Sequence, residues 1–225
     1  MPAAGLEWKD KSELLTFEEI ERIATVAAEM GVSKVRLTGG EPTLRRNLPE
    51  LIANLAETEG IQSLYMTTNG WDLERNANTY RKAGLTGLNI SIDSLQPDRF
   101  EHITRVGKLE LVLRGIEATI KCNFDSIKLN VVVIRGVNDD EILDFAQFAA
   151  NHPVEVRFIE FMPFEGNQWS KAGVFGYSDM LGQIRSKFAL EPLALADTAV
   201  AKEFAIVGGI GKLGFITSMT DSFCS

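Results

Sequence analysis

The feature that most restricts the fold of this chain is a repeated alternation of short strands with amphipathic helices. Before the first strand, Thr16-Phe17-Glu18-Glu19 predicts a capping box at the start of a helix, and Gly31 predicts the end of that helix. Five strands follow, each with a helix after it, and this pattern is typical of parallel βα units. The strands are predicted at 34–38, 62–67, 87–92, 127–134 and 154–160, and the helices that follow them near 49–59, 72–83, 108–122, 139–150 and from Ser178 onward.

The side-chain pattern within each strand distinguishes between two possible folds, a barrel and an open sheet that helices cover on both faces. Leu64 and Met66 alternate with Tyr65 and Thr67, and the later strands alternate in the same way. One face of each strand is therefore apolar and suited to packing against helices, while the other is polar and suited to lining a cavity. The sequence predicts an α/β fold, namely a partial (β/α) TIM-like barrel of parallel strands.

A change of pattern near the C-terminus predicts a second, smaller segment. Residues from about 199 to 219 have the pattern of two short strands around Gly208-Gly209. We predict that residues 1–190 form the barrel core and that residues 191–225 form a truncated C-terminal extension with short β structure.

The charge balance and the cysteine content exclude several classes of protein. The 225 residues contain 23 Lys and Arg against 31 Asp and Glu, and the net charge of −8 argues against non-specific nucleic-acid binding. The sequence shows no apolar run of membrane-spanning length and no signal-peptide pattern. Two cysteines, Cys122 and Cys224, do not make a disulfide framework, so the sequence predicts a cytoplasmic protein.

Four cationic side chains lie on the polar faces of the predicted strands. Lys34 and Arg36 belong to the first strand, Lys128 to the fourth and Arg157 to the fifth. We expect all four to be buried in the cavity, where cations need anionic partners. Because arginine binds phosphate oxygens in a bidentate manner and lysine acts as a point charge, the four cations predict a polyphosphate ligand. The alternative is that they pair with local carboxylates, for which the candidates are Glu41, Asp93, Glu155 and Glu160.

Glycine-rich and polar segments follow the carboxyl ends of the first three predicted strands. Gly39-Gly40-Glu41-Pro42 allows the backbone to approach a ligand closely. Thr67-Thr68-Asn69-Gly70 and Ser91-Ile92-Asp93-Ser94 carry hydroxyl and amide groups that can bind a ribose or an amino acid. The alternative role for these residue types is helix capping and turn formation. Met162, after the last strand, either packs against an adenine ring or fills the core.

Taken in this order, the motifs are similar to those of a known family. Together they extend over nearly the whole chain, and they are far more specific as a set than singly. On these residues the chain resembles the radical S-adenosylmethionine enzymes, and more closely the GTP cyclases of molybdenum cofactor biosynthesis. The matching segments are 1–6, 15–20, 35–42, 67–70, 91–95, 128–139, 157–163 and 223–224.

The resemblance implies an activity, a cofactor and two sets of binding residues. It implies that GTP is converted to a cyclised pterin precursor, and that an adenosyl radical formed from S-adenosylmethionine abstracts hydrogen from the GTP ribose. GTP and S-adenosylmethionine would then be the partners of the chain. By resemblance, the contacts to S-adenosylmethionine are Gly39, Gly40, Glu41, Pro42, Ser91, Asn130 and Met162, and those to GTP are Lys34, Arg36, Thr67, Lys128 and Arg157.

The resemblance also implies two 4Fe-4S clusters in the full-length family. In that family a CxxxCxxC motif precedes the residues that match Met1-Pro2, and Cys224 matches only the first of the three cysteines of the second cluster. Because such clusters are held by thiolates, we expect these 225 residues alone to show no turnover.

The sequence is also compatible with two other functions, and it predicts a homodimer. The chain could be a binding module without redox chemistry that uses the four cations for a nucleotide or another phosphate ligand. It could also be a radical enzyme with a different substrate, such as a peptide, which shares only the Gly-Gly-Glu-Pro segment. A sheet edge left open where the family has a further strand predicts pairing with a second copy, that is, a homodimer.

Overall fold

The structure is a computed structural model that describes residues 13–105, 107–163, 169–194 and 200–220. Helices and strands alternate through most of this range. The helices are α1 Phe17–Glu29, α2 Leu48–Glu57, α3 Leu73–Lys82, α4 Pro97–Thr104, α5 Leu109–Lys121, α6 Ile142–Asn151 and α7 Tyr177–Arg185. The strands are β1 Lys34–Leu37, β2 Ser63–Thr68, β3 Gly87–Ser91, β4 Ser126–Val133, β5 Glu155–Glu160, β6 Leu190–Pro192, β7 Lys202–Ile206 and β8 Lys212–Ile216.

The chain divides into two compact units. The N-terminal unit comprises residues 2–90 and 111–126, and the C-terminal unit comprises residues 91–110 and 127–225. In the N-terminal unit β2 lies between β1 and β3, and both pairings are parallel. Arg36 pairs with Tyr65, and Tyr65 pairs with Gly87, so side chains of these three strands share one face.

Helix α1 begins where the sequence predicts, because its first turn satisfies its own backbone donors. The Thr16 hydroxyl accepts a hydrogen bond from the Glu19 backbone N–H at 3.2 Å, and the Glu19 carboxylate accepts one from the Thr16 N–H at 2.8 Å. This reciprocal pair is the predicted capping box.

The core of the N-terminal unit lies between the helices and the apolar face of β2 and β3. Helix α2 packs against β2, with the leucine and isoleucine side chains of the helix fully buried. Burial of each such side chain contributes about 2 kcal/mol to the stability of the unit. The buried side chains of this layer are Leu51, Ile52, Leu55, Leu64, Met66, Leu88 and Ile90.

In the C-terminal unit β5 lies between two parallel neighbours. Strand β4 pairs with one edge of β5 and β8 with the other, while β7 pairs antiparallel with β8 and β6 antiparallel with β7. An aromatic cluster covers the apolar face, in which the ring of Phe158 lies 5.7 Å from Phe215 and 6.4 Å from Phe145. Phe204 and Tyr177 contact Phe215 edge-on.

The five predicted strands are present at nearly the predicted positions. The predicted alternation is present in the burial of β2 and β4 but not in β3, where Gly87 to Ile90 are all buried. In β4 every second residue is buried, from Ile127 to Val133. The predicted α/β fold with a short C-terminal β extension is therefore confirmed. The sequence missed α4 and β6, and it read β7 and β8 as a pair on their own. The two do form an antiparallel pair, but β8 also joins β5 in parallel, a long-range pairing that the local pattern does not encode.

Two glycines of the C-terminal unit provide a stability test. A Cβ at Gly211 would meet the backbone oxygens of Ala149, His152 and Val154, with even the farthest only 2.6 Å away, whereas a Cβ at Gly182 in α7 would meet nothing within 4 Å. We expect Gly211→Ala to lower the free energy of unfolding by about 2 kcal/mol through overpacking. Gly182→Ala should raise it by about 0.5–1 kcal/mol through helix propensity. Urea titration of both variants measures the difference, and equal effects would contradict the close approach at Gly211.

Candidate functional site

The polar face of the N-terminal unit carries two cations beside an aromatic ring. Lys34 Nζ lies 5.4 Å and Arg36 Cζ 6.0 Å from the centre of the Tyr65 ring. Both cationic side chains are exposed, so the prediction that they are buried is wrong. The strand has only four residues, and even Val35 and Leu37 on its other face are only half-buried. Within the described ranges neither cation forms an ion pair, which leaves both charges available to an anion.

The segment after β1 combines open backbone with a fully engaged carboxylate. Gly39 has φ +133°, and a Cβ at Gly39 or Gly40 would meet nothing within 4 Å, so a ligand has room to approach this backbone. The Glu41 carboxylate accepts hydrogen bonds from the Thr68 hydroxyl and the Asn69 N–H, each at 2.7 Å, and from the hydroxyl and N–H of Thr43. Glu41 therefore joins the ends of β1 and β2 and positions the glycines.

The polar face of the C-terminal unit carries a network of three cations and two carboxylates. Glu155 is only 3% exposed, and its Oε2 lies 3.3 Å from Lys128 Nζ and 3.5 Å from Lys212 Nζ. Its Oε1 accepts a hydrogen bond from Arg157 Nε. Glu203 pairs with Lys212 and lies 3.7 Å from Arg157. The alternative that the cations pair with local carboxylates is therefore correct for Lys128 and Arg157.

The ionisation of this network follows from its burial and its pairing. Burial of Lys128 is the main cause that lowers its pKa from the ordinary value. Burial acts to raise the pKa of Glu155, but the charges of Arg157 and then Lys128 and Lys212 outweigh it and hold that pKa below its usual range. Partial burial acts to lower the pKa of Lys212, but the hydrogen bond to Glu203 and the charge of Glu155 outweigh it and raise that pKa. Glu155 is therefore ionised at neutral pH.

The other three carboxylates that the sequence offered as partners for the four cations contact different groups. Glu41 joins the strand ends as described above, and Asp93 accepts a hydrogen bond from the Val132 N–H at 2.8 Å. Burial raises the pKa of Asp93 to about 6. Glu160 is fully buried and binds Tyr177, Met219 and Thr220. Sequence reasoning did not assign this role to Glu160, since its partners are 17 to 60 residues away.

Two asparagines have buried side-chain oxygens without a hydrogen-bond partner among the described residues. They are Asn89 in β3 of the N-terminal unit and Asn130 in β4 of the C-terminal unit. A buried acceptor left unpaired costs about 1–3 kcal/mol, so each of these oxygens is a candidate to accept a hydrogen bond from a ligand or an ordered water. Sequence reasoning assigned Asn130 by resemblance and missed Asn89, for which the only signal was its place on a polar strand face. Of the remaining predicted residues, Ser91 is exposed, and Thr67 and Met162 are half-buried.

Three features of the described residues bear on the implied cofactors. In the N-terminal unit, the open backbone at Gly39 and Gly40 leaves room for a small polar ligand. In the C-terminal unit, the buried oxygen of Asn130 has no hydrogen-bond partner among the described residues. The described ranges contain no group of three or more His, Cys, Asp or Glu that could hold a metal ion. The predicted ligand Cys224 lies outside the described residues. In the same ranges no helix is both long and apolar enough to cross a membrane.

Comparison with protein families gives two matches that together cover most of the chain. Residues 3–149 match the radical SAM superfamily, and residues 154–225 match the family described as Molybdenum Cofactor Synthesis C.

Curated relatives match the chain over its whole length. It is 43% identical to GTP 3',8-cyclase of Moorella thermoacetica and covers 70% of that protein. It is 40% identical to the mitochondrial GTP 3',8-cyclase of Arabidopsis thaliana, of which it covers 58%. It is 44% identical to molybdenum cofactor biosynthesis protein 1 of Drosophila melanogaster, of which it covers 40%. The chain therefore spans between two fifths and seven tenths of the length of these relatives.

Solved structures with low identity share the fold. Streptococcus suis SuiB superposes with a TM-score of 0.63 at 17% identity, covering 78% of this chain and 40% of SuiB. Methylornithine synthase (PylB) gives a TM-score of 0.61 at 18% identity, covering 76% of this chain and 52% of that one. At this level of identity the likeness shows the fold alone, and it confirms the prediction of a partial TIM-like barrel.

Proposed function

We propose a function from the premise that this chain belongs to the radical SAM superfamily and, within it, to the GTP 3',8-cyclase family. On this premise, the chain is the core of an enzyme that cyclises GTP to the pterin precursor of the molybdenum cofactor. The observation that carries this proposal is the pair of exposed cations on β1. Lys34 and Arg36 stand on one face, beside Tyr65, without an ion-pair partner in the described ranges. Two uncompensated cations in a chain of net charge −8 favour an anionic ligand.

The residues that we assign to GTP occur in both units. In the N-terminal unit, Lys34 and Arg36 would contact phosphate oxygens, and the half-buried hydroxyl of Thr67 would contact the same nucleotide. In the C-terminal unit, Lys128 and Arg157 are held in place by Glu155 rather than left free. Their three-cation network exceeds its two carboxylates by one charge, so a phosphate group would complete its neutralisation.

The residues that we assign to S-adenosylmethionine differ in how they would act. Gly39 and Gly40 offer backbone groups in open space, with Pro42 shaping the turn that follows. Glu41 would act indirectly, since its carboxylate is occupied by Thr43, Thr68 and Asn69. In the C-terminal unit the contacts would be Ser91, Asn130 and Met162. When bound and supplied with one electron by a reductant, S-adenosylmethionine would yield the adenosyl radical and methionine, and these side chains would bind and orient it.

The family also suggests cofactors, an assembly and a cellular location for the complete enzyme. We propose two 4Fe-4S clusters in the complete enzyme, with Cys224 a ligand of the second, and a cytoplasmic homodimer as the working assembly. The division into residues 1–190 and 191–225 also stays a prediction.

Titration of the chain with GTP and with ATP tests the proposal. We expect GTP to bind more tightly than ATP, and the double variant Lys34→Met/Arg36→Met to lose about tenfold in GTP affinity through two charge-assisted hydrogen bonds. A matched control is Arg75→Met/Lys82→Met, which removes two exposed cations from α3 of the same unit and should leave the affinity unchanged.

Two results would count against this function. Equal, weak binding of GTP and ATP that disappears at high salt would indicate non-specific phosphate attraction and a simple binding module. GTP binding that does not respond to Lys34→Met/Arg36→Met would show that the cations on β1 have another role.

A further inference from the structure

One charged residue beside the predicted GTP contacts has no assigned role. Lys212 begins β8, and the strand register places it in one row with Glu155 and Lys128. Because neighbouring residues of paired strands point to the same face, Lys212 shares the face of Lys128, on the opposite side of Glu155. Its side chain is 37% exposed, so this lysine is partly open to solvent.

The two carboxylates that neutralise this face are held very differently. Glu155 is 3% exposed and contacts Lys128, Arg157 and Lys212 at once, so it is a permanent part of the fold. Glu203 is 21% exposed, hydrogen-bonds Lys212 and lies 3.7 Å from Arg157, a distance too long for a hydrogen bond. Glu203 can therefore leave this face at much lower cost than Glu155.

The neighbouring glycine leaves room on the same face. Gly214 pairs with both Arg157 and Glu203, and a Cβ at this position would lie 3.0 Å from Glu155 Oε1 and 3.2 Å from Arg157 Cγ. Any larger residue would push against the carboxylate and the arginine stem. The missing side chain leaves space for the stem of Arg157 beside β8, and the Arg157 guanidinium lies 3.7 Å from Glu203.

We infer that Lys212 is a further phosphate-binding residue, and that Glu203 is the carboxylate that a substrate phosphate replaces. In the free protein Glu203 occupies the anion position beside Lys212 and Arg157. When a triphosphate binds, a phosphate group takes over these contacts and Glu203 moves into solvent. The inference rests on the proposed function, because it takes Lys128 and Arg157 as contacts to the same nucleotide.

Opposite changes in GTP affinity test the inference. Lys212→Met should weaken GTP binding about fivefold and reduce its salt dependence, because one phosphate contact is lost. Glu203→Gln should strengthen GTP binding about fivefold, because the competing carboxylate is gone. The controls are Lys187→Met and Glu191→Gln, two exposed positions of the same unit that should leave the affinity unchanged.

The outcomes separate this inference from the proposed function. If Lys128→Met weakens GTP binding while Lys212→Met leaves it unchanged, or if Glu203→Gln weakens it, the inference is overturned and the proposed function stands. If Lys128→Met also has no effect, the assignment of this face to GTP fails, and the inference fails with it. Should Glu203→Gln not fold, Lys212→Met decides alone, since it leaves Glu203 beside Arg157.

Discussion

Glu160→Ala is expected to lower the free energy of unfolding by about 4 kcal/mol, because it leaves several buried donors without an acceptor. The fully buried carboxylate accepts hydrogen bonds from the N–H groups of Tyr177 at 2.8 Å, Met219 at 2.7 Å and Thr220 at 2.9 Å, and from the Thr220 hydroxyl. One side chain at the end of β5 thus holds both the start of α7 and the segment after β8. Chemical denaturation of the purified chain measures the loss.

A graded series distinguishes this interpretation from a general packing effect. Glu160→Gln keeps the shape and one acceptor oxygen, so its loss should be about half that of Glu160→Ala. Glu191→Ala, at an exposed position in β6, should change stability by less than about 0.5 kcal/mol. Because the Glu160 contacts position residues 218–220, we also expect faster hydrogen exchange at Met219 and Thr220 in Glu160→Ala. Unchanged exchange there would contradict the role we assign to the carboxylate.

Glu155→Gln should destabilise the protein by about 3 kcal/mol at neutral pH, because three cations would then share the single charge of Glu203. Lys128, Arg157 and Lys212 would repel one another on a face where Lys128 and Arg157 are only 19% and 12% exposed. Measurement of unfolding by urea at neutral pH gives the difference between variant and wild type. Glu59→Gln, an exposed site in the N-terminal unit, is the control.

The pH dependence gives this prediction a second readout. The pKa of Glu155 is lowered in the folded protein, so its carboxylate contributes its full stabilisation above the ordinary glutamate pKa of about 4.3. That contribution is lost as the pH falls below 4.3 and through the lower folded value. The stability curves of wild type and Glu155→Gln should therefore run parallel near neutral pH and converge in acid. A gap that persists at the lowest pH would show that the substitution acts through packing and not through charge.

Several parts of the site could be read from the sequence because they depend on nearby residues. The capping box of α1 involves residues three apart, and the alternation of Leu64 and Met66 with Tyr65 and Thr67 follows from the pleat of a single strand. The same alternation placed Lys34 and Arg36 on one face and Lys128 on a polar face. It did not reveal burial, and the prediction that the β1 cations are buried failed because a pattern does not say what covers the face.

Five of the strands, most of the helices between them, the polar face of those strands and the family of the chain could all be predicted from the amino-acid sequence. The pairing of the charges could not be predicted in this way, because it depends on the three-dimensional fold. Glu155 lies between Lys128 and Lys212 because β4, β5 and β8 pair in one register, and Glu160 reaches Thr220 across 60 residues of chain. Local periodicity fixes the side of a strand on which a side chain stands, whereas the partner of a charge depends on long-range strand pairing.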